Sequence, residues 1–165
     1  MDLRRFWRHV AMTPAKARRA FPREARDAIA RAIAEHEKLH RGELRFVVEA
    51  ELGTLALLRG VAPRARAVEL IPKLGVDRTE ERTGVLVYVL LADQRVEIVA
   101  DLGIAAKVAP AEWQAACALM QDAFRAGRFE EGSVAGVNAI SALLEKHFPA
   151  AGENANELPD QPVML

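Results

Sequence analysis

The segment 84–100 constrains the fold more than any other part of the chain. Val85-Leu86-Val87-Tyr88-Val89-Leu90-Leu91 and Arg95-Val96-Glu97-Ile98-Val99-Ala100 flank the short link Ala92-Asp93-Gln94. Branched and aromatic residues of this kind suit pleated backbone, and so short a link between two such runs makes an antiparallel β-hairpin. The first run is apolar on both faces, as in a strand covered by helices on each side, whereas the second begins with polar and apolar residues in turn. The pattern therefore predicts a hairpin in the middle of a small sheet.

Helical signals surround it. Phe21-Pro22 opens an element in which Ala25, Ile29, Ala32, Ile33 and His36 recur at three- and four-residue spacing, predicting a helix that runs to about His40 and stops at Gly42. Residues 44–50 read as a buried strand, and 63–74 as a helix with Pro63 at its start and Pro72 near its end. Ala109-Pro110-Ala111-Glu112 begins a helix with Trp113, Ala116, Cys117, Met120 and Phe124 on one stripe, closed by Gly127. A last helix from about Glu131 carries Val134, Val137, Ile140, Leu144 and Phe148 and ends at Pro149. Residues 150–165 are polar, mildly acidic and proline-bearing, so a flexible tail without packing of its own is expected.

The first segment is basic: Arg4, Arg5, Arg8, Lys16, Arg18, Arg19, Arg23 and Arg26 are opposed before position 27 only by Asp2 and Glu24. Phe6, Trp7 and Val10 alternate with those cations at near-helical spacing, and a short helix docking these three residues on the domain is expected. An amphipathic anchor for an anionic membrane through residues 4–26 is the other reading. Thr13-Pro14 breaks the segment. Altogether the expected organisation is a basic helical arm over 1–20, an α/β domain over 21–149, and the tail over 150–165. The fold class is α/β, a three-layer α/β/α sandwich with a small mixed sheet containing a central β-hairpin.

Composition narrows the function. With 165 residues, 51% hydrophobic and 28% charged, the chain is of ordinary single-domain size and can bury a core. Equal numbers of Lys+Arg and Asp+Glu, 23 each, leave no global field to steer it onto nucleic acid, so no nucleic-acid partner is expected. One cysteine, Cys117, excludes an internal disulfide and a zinc site of several thiolates. The start of the sequence has charges where a secretion signal needs an apolar run, and the protein is expected in the cytoplasm.

Catalytic constellations are few. No G-x-G-x-x-G follows the first strand and no GxxxxGK[ST] loop is present. Ser133 and Ser141 both lie inside the last expected helix, and Cys117 sits in an apolar stripe, where a thiol is a small hydrophobe. His9, His36, His40 and His147 are dispersed, with no H-E-x-x-H. The carboxylates of Glu80 and Asp101 are the better candidates, since each lies in a loop at a strand end and oxygen donors from such loops suit a hard cation such as calcium or magnesium. Gly103, beside Asp101, lets backbone approach a ligand closely.

The runs Gly84-Val85-Leu86-Val87-Tyr88-Val89 and Leu91-Ala92-Asp93-Gln94-Arg95-Val96-Glu97-Ile98-Val99-Ala100-Asp101-Leu102-Gly103-Ile104 resemble the central signature of the TPM domain family. Phe124-Arg125-Ala126-Gly127-Arg128-Phe129-Glu130-Glu131-Gly132 and Ala135-Gly136-Val137-Asn138-Ala139-Ile140 are similar to its closing helices, so the resemblance spans roughly 41–148. It implies an α/β/α sandwich found in bacterial proteins and in a plant lumenal protein of photosystem II repair, with acid phosphatase activity and divalent-cation binding ascribed to some members.

Thr79-Glu80 and Gly84 match a family loop that in close relatives looks like Asp-Thr-Glu-x-Asn-Asn-Gly. Here Arg78 replaces its first acid, while Arg82 and Thr83 replace its asparagines. A guanidinium close to a cation site opposes the ion by ~4 kcal/mol per close pair at intermediate dielectric. The same arginines can instead hold an anion, for which guanidinium is a planar fork.

The expectation leans to a binding module over an enzyme, one that recognises a divalent cation, a small anion or a partner protein through loops at the sheet edge. Glu80 and Asp101 are its metal candidates, with Thr79, Arg82, Thr83, Gly84 and Gly103 around the ligand. The alternative is a metal-assisted acid phosphatase, in which an ion at Glu80 and Asp101 polarises a phosphoryl oxygen.

Overall fold

The computed structural model describes residues 2–151 and 156–165. In chain order the elements are α1 (Leu3–Ala11), α2 (Pro14–Ala20), α3 (Arg23–His36), β1 (Glu43–Glu49), α4 (Thr54–Leu58), α5 (Pro63–Lys73), a 3-10 turn at Val76–Arg78, β2 (Gly84–Leu90), β3 (Arg95–Ala100), α6 (Leu102–Ala105), α7 (Pro110–Arg125), α8 (Phe129–His147) and β4 (Val163–Met164).

The sheet order is β3-β2-β1-β4. β1 runs parallel to β2, with Glu43 opposite Gly84, and parallel to β4, with Val47 opposite Val163. β2 and β3 pair antiparallel from Val85 opposite Ala100 to Leu90 opposite Arg95, which is the expected hairpin. Its position differs from the expectation: β2 is an interior strand, buried along its whole length, but β3 forms the edge of the sheet. The exposed and half-buried residues Arg95, Glu97, Val99 and Ala100 suit that edge.

Strand alternation sorts the core into two layers. Leu44, Phe46, Val48, Val85, Val87 and Val89 point to the face covered by α3, α7 and α8, where they meet Ile29, Ile33, Met120, Val137, Ile140 and Leu144. Val47, Leu86, Tyr88 and Leu90 point to the other face and meet Leu57 of α4 with Ala67 and Leu70 of α5. The result is the α/β/α sandwich. The α7 stripe packs as expected, with Ala116 and Met120 buried and Trp113, Cys117 and Phe124 half-buried against the same layer.

Several boundaries move. α3 ends at His36, short of His40, and α8 begins at Phe129, before Glu131. α4 is an added five-residue helix. In α1 only Phe6 packs inward, whereas Trp7 and Val10 are 64% and 53% exposed and His9 is buried in their place. The cause is Asp93 in the hairpin turn, onto which Arg5 and His9 are drawn.

The expectation of an unpacked tail is corrected for residues 156–165. Leu158 is buried, β4 pairs with β1, and Glu43 Oε2 accepts from the backbone N–H groups of Glu157 and Leu158 at 3.1 and 3.2 Å. Residues 152–155 of that stretch lie outside the described residues. Among the described residues no helix is long and apolar enough to cross a membrane.

Candidate functional site

The expected loops meet at the end of the sheet where β2 starts and β3 finishes. The Asp101 N–H donates to Gly84 O at 2.8 Å, and the Gly103 N–H donates to Arg82 O at 3.1 Å. Thr79 Oγ1 accepts from the Thr83 N–H at 2.9 Å, closing the loop on itself. Arg82 sits at φ 58, an uncommon left-handed conformation for a residue with a side chain. A Cβ on Gly103 would lie 2.6 Å from Arg82 O and 2.8 Å from Glu81 O, so only glycine lets the two loops touch. Thr79, Arg82, Thr83, Gly84, Asp101 and Gly103 are thus brought together on one rim.

The two carboxylates differ. Asp101 is nearly enclosed: its Oδ1 accepts from the Leu102 N–H at 2.7 Å, capping α6, and lies 4.0 Å from Arg82 Nη1. Glu80 lies on the exposed loop, where its N–H donates to Glu157 Oε2 at 2.9 Å. Its neighbour Glu81 is held by Arg41 at 2.6 Å. A hard cation needs about six oxygen ligands or more. The rim gives Asp101 one oxygen with no hydrogen-bond partner, Oδ2, and places a guanidinium beside that carboxylate. Among the described residues no three His, Cys, Asp or Glu side chains converge as a metal site would require. The donor set does not fit a divalent cation.

At the opposite end of β2 lies a cavity of about 830 Å³, within the range of small-molecule sites. Its apolar lining comes from Met12, Ala20, Leu91, Phe124 and Phe129. The rings of Phe124 and Phe129 stack at 5.3 Å, and Phe21 braces both from behind at 6.0 and 5.5 Å. Five cations also line the cavity: Lys16, Arg19, Arg95, Arg125 and Arg128. Three of them have partners, Lys16 on Ala11 O, Arg125 on Asp122 and Arg128 on Glu131. Arg19 and Arg95 make no hydrogen bond or ion pair among the described residues.

The sequence held a signal for this site. In Phe124-Arg125-Ala126-Gly127-Arg128-Phe129 two aromatics and two cations are disposed symmetrically about a turn whose Gly127 takes φ 75. The arginines of α2 and β3 reach the same place only through the tertiary fold.

The other nucleophiles and bases are built in. Burial pushes the Cys117 thiol up to about 11, which leaves it inert at neutral pH. Ser133 and Ser141 are buried within α8, and His36 Nε2 lies 3.0 Å from Asn138 Oδ1.

A sequence model of the TPM domain matches residues 16–143. The chain belongs to the TPM domain family. The TPM match takes in the whole sheet except β4, both loops of the rim, and every cation of the cavity. The NMR structure of the BA42 protein from the psychrophilic bacterium Bizionia argentinensis is similar at 30% identity and a TM-score of 0.76, covering 86% of this chain and 93% of that one. The N-terminal domain of a protein from P. gingivalis shares the fold at 20% identity and a TM-score of 0.53, covering 71% of each chain. Comparison with curated proteins finds no match.

Proposed function

We propose that this TPM domain is a binding module for a small organic anion with an apolar group, seated in the cavity between α2, the hairpin turn and the α7 to α8 corner. The observation that carries this reading is the pair Arg19 and Arg95, two guanidinium groups without a partner among the described residues, lining a cavity with Phe124 and Phe129. A guanidinium is a planar donor fork matched to phosphate or carboxylate, and stacked Phe124 and Phe129 supply a surface for the apolar part. Arg125 is paired with Asp122 and Arg128 with Glu131, so the remaining charge lining the cavity is that of Arg19, Arg95 and Lys16 against the single carboxylate of Glu130, a positive balance.

Phenyl phosphate tests the reading, because it combines both features and also reports hydrolysis. A ligand at ~100 times its dissociation constant adds ~2.7 kcal/mol of stability, a shift of several degrees in Tm. The expected result is a phenyl phosphate shift larger than that of inorganic phosphate, lost in Arg19→Gln/Arg95→Gln and kept in Asp101→Asn, with no phosphate released. An equal shift in the double arginine variant overturns the proposal. So does phosphate release that depends on Asp101, or a melt raised by calcium, magnesium or manganese through Glu80 and Asp101, since either result moves the function to the rim.

A further inference from the structure

α1 is mounted with its charged side inward and its apolar side outward. Leu3, Trp7 and Val10, at i, i+4 and i+7, share one helical face and are 62%, 64% and 53% exposed. On the inward side Arg5 and His9 approach Asp93 at 2.7 and 3.2 Å, and His9 Nδ1 accepts from the Leu52 N–H at 2.9 Å. These contacts fix the rotation of the helix about its axis, so the apolar face is held in solvent by ion pairing in the turn beneath it. At the foot of the helix Asp2, Arg5 and Phe6 share a separate cleft of about 330 Å³ with Leu57 and Leu58 of α4 and the following Arg59.

Charge beside this face decides what it suits. Arg4 and Arg8, one turn apart, form one flank of α1, where Arg8 also reaches Asp93 at 3.3 Å and Arg4 stays exposed, and the exposed Arg18 and Arg19 follow on α2. Glu24 is the one acid in 3–26, and Asp2 caps α1 through its hydrogen bonds to the Arg4 and Arg5 N–H groups. A second copy pressed against this face would bring like charges together. An anionic bilayer meets both needs, since its headgroups neutralise the cations while the acyl boundary receives Leu3 and Val10, and the Trp7 indole suits the interface between them.

We propose that the outer face of α1 is a peripheral docking surface for an anionic lipid bilayer, with Leu3, Trp7 and Val10 inserted and Arg4 and Arg18 on headgroups. This is independent of the anion cavity, whose arginines Arg19 and Arg95 are left unchanged in every variant below.

The test is co-sedimentation with vesicles of phosphatidylcholine and phosphatidylglycerol at equal parts, against vesicles of phosphatidylcholine alone, together with Trp7 emission in a Trp113→Phe background. Binding to the anionic vesicles, a blue shift of Trp7, and at least tenfold weaker binding in Leu3→Ser/Trp7→Ser/Val10→Ser are expected. Because those side chains are exposed, the triple variant should melt with the parent protein. Arg4→Gln and Arg18→Gln should each weaken binding about fivefold, an effect that added salt mimics. The proposal is overturned if the wild type ignores anionic vesicles, if the triple variant binds them equally well, or if Trp7 emission does not move. Self-association abolished by the triple substitution, in a protein that ignores vesicles, would assign the face to a second copy instead.

Discussion

The phenol of Tyr88 donates a 2.6 Å hydrogen bond to Glu49 Oε2, joining β2 to the end of β1 on the face covered by α5. Arg66 of α5 forks onto the same carboxylate, with its Nη2 2.8 Å from Oε1. Burial, and then the bond to Glu49, hold the phenol well above its ordinary range, so it stays a donor at any physiological pH. Tyr88→Phe leaves the ion pair in place and should lower stability by about 1–2 kcal/mol. Glu49→Ala strands both partners and should cost about 3 kcal/mol or more. Urea midpoints with unchanged slopes would measure both, and equal losses would show that the hydroxyl, not the carboxylate, organises the contact.

Asp93 fixes the N-terminal helix. Burial alone would raise its carboxyl, but the hydrogen bonds and charge of Arg5, with His9 Nε2 at 3.2 Å beside it, bring it below the ordinary carboxylate range. A depressed folded value contributes stability above the unfolded value, near 3.9, that is lost as pH falls through the folded one. Asp93→Asn should therefore lower stability at pH 7 by about 1–3 kcal/mol and flatten the acid limb below about pH 4. Hydrogen exchange at the α1 amides should rise in the same variant. Protection as strong as in the parent would mean that Phe6 alone seats the helix.

The hairpin was legible because its signal is local: an unbroken Val/Leu run, a short link, and a second run of β-formers. The edge position of β3 was not, because strand order is set by long-range pairing: β1 takes the free side of β2, and the last strand, β4, two residues long and following Pro162, joins β1 and leaves β3 uncovered. What holds β4 in place is equally non-periodic. Arg45 donates to the carbonyls of Pro159 and Gln161, and Glu43 accepts from two tail amides. The rim was legible as loops flanking strand ends, since pairing of β2 with β3 forces residues 84 and 101 together. The cavity was legible only at its 124–129 corner, since Arg19 and Arg95 reach it from α2 and β3 through the tertiary fold. The inverted seating of α1 escaped for the same reason: Phe6, Trp7 and Val10 read as one inward group until Asp93 decides which side turns in.

Gly103 tests how tightly the rim is built. Its missing Cβ leaves room for the carbonyls of Glu81 and Arg82, both backbone atoms that cannot rotate aside. Gly103→Ala should cost about 1–3 kcal/mol, the usual range for forcing an extra carbon into packed surroundings. By contrast, Gly53→Ala, with nothing within 4 Å of the added carbon, should be close to neutral. Matched thermal melts of the two variants check this, and a neutral Gly103→Ala would show that the loop yields freely.

The strongest pH dependence should come from Glu37. Burial is the main cause that pushes its carboxyl up to about 9, with Glu43 and Asp160 adding to it against a 2.8 Å bond from the Leu44 N–H. The folded state holds this proton where the unfolded chain has lost it. Its contribution is therefore complete below the unfolded value, near 4.5, and declines as pH rises towards 9. His40 works in the other direction: burial lowers it to about 4, so the folded state refuses a proton that the unfolded chain accepts, and stability falls as pH drops from 6.5. The protein should be most stable near the overlap of these windows, at mildly acidic pH. Glu37→Gln keeps an acceptor for the Leu44 N–H and carries no titrating proton. It should match the parent near pH 4.5 and exceed it by several kcal/mol at pH 8, since the parent loses about 1.4 kcal/mol for each pH unit in between. Glu43, which burial also raises, keeps part of the slope in the variant. Parallel stability curves for parent and variant between pH 4.5 and 9 would show that Glu37 ionises in the folded state as readily as in the unfolded one.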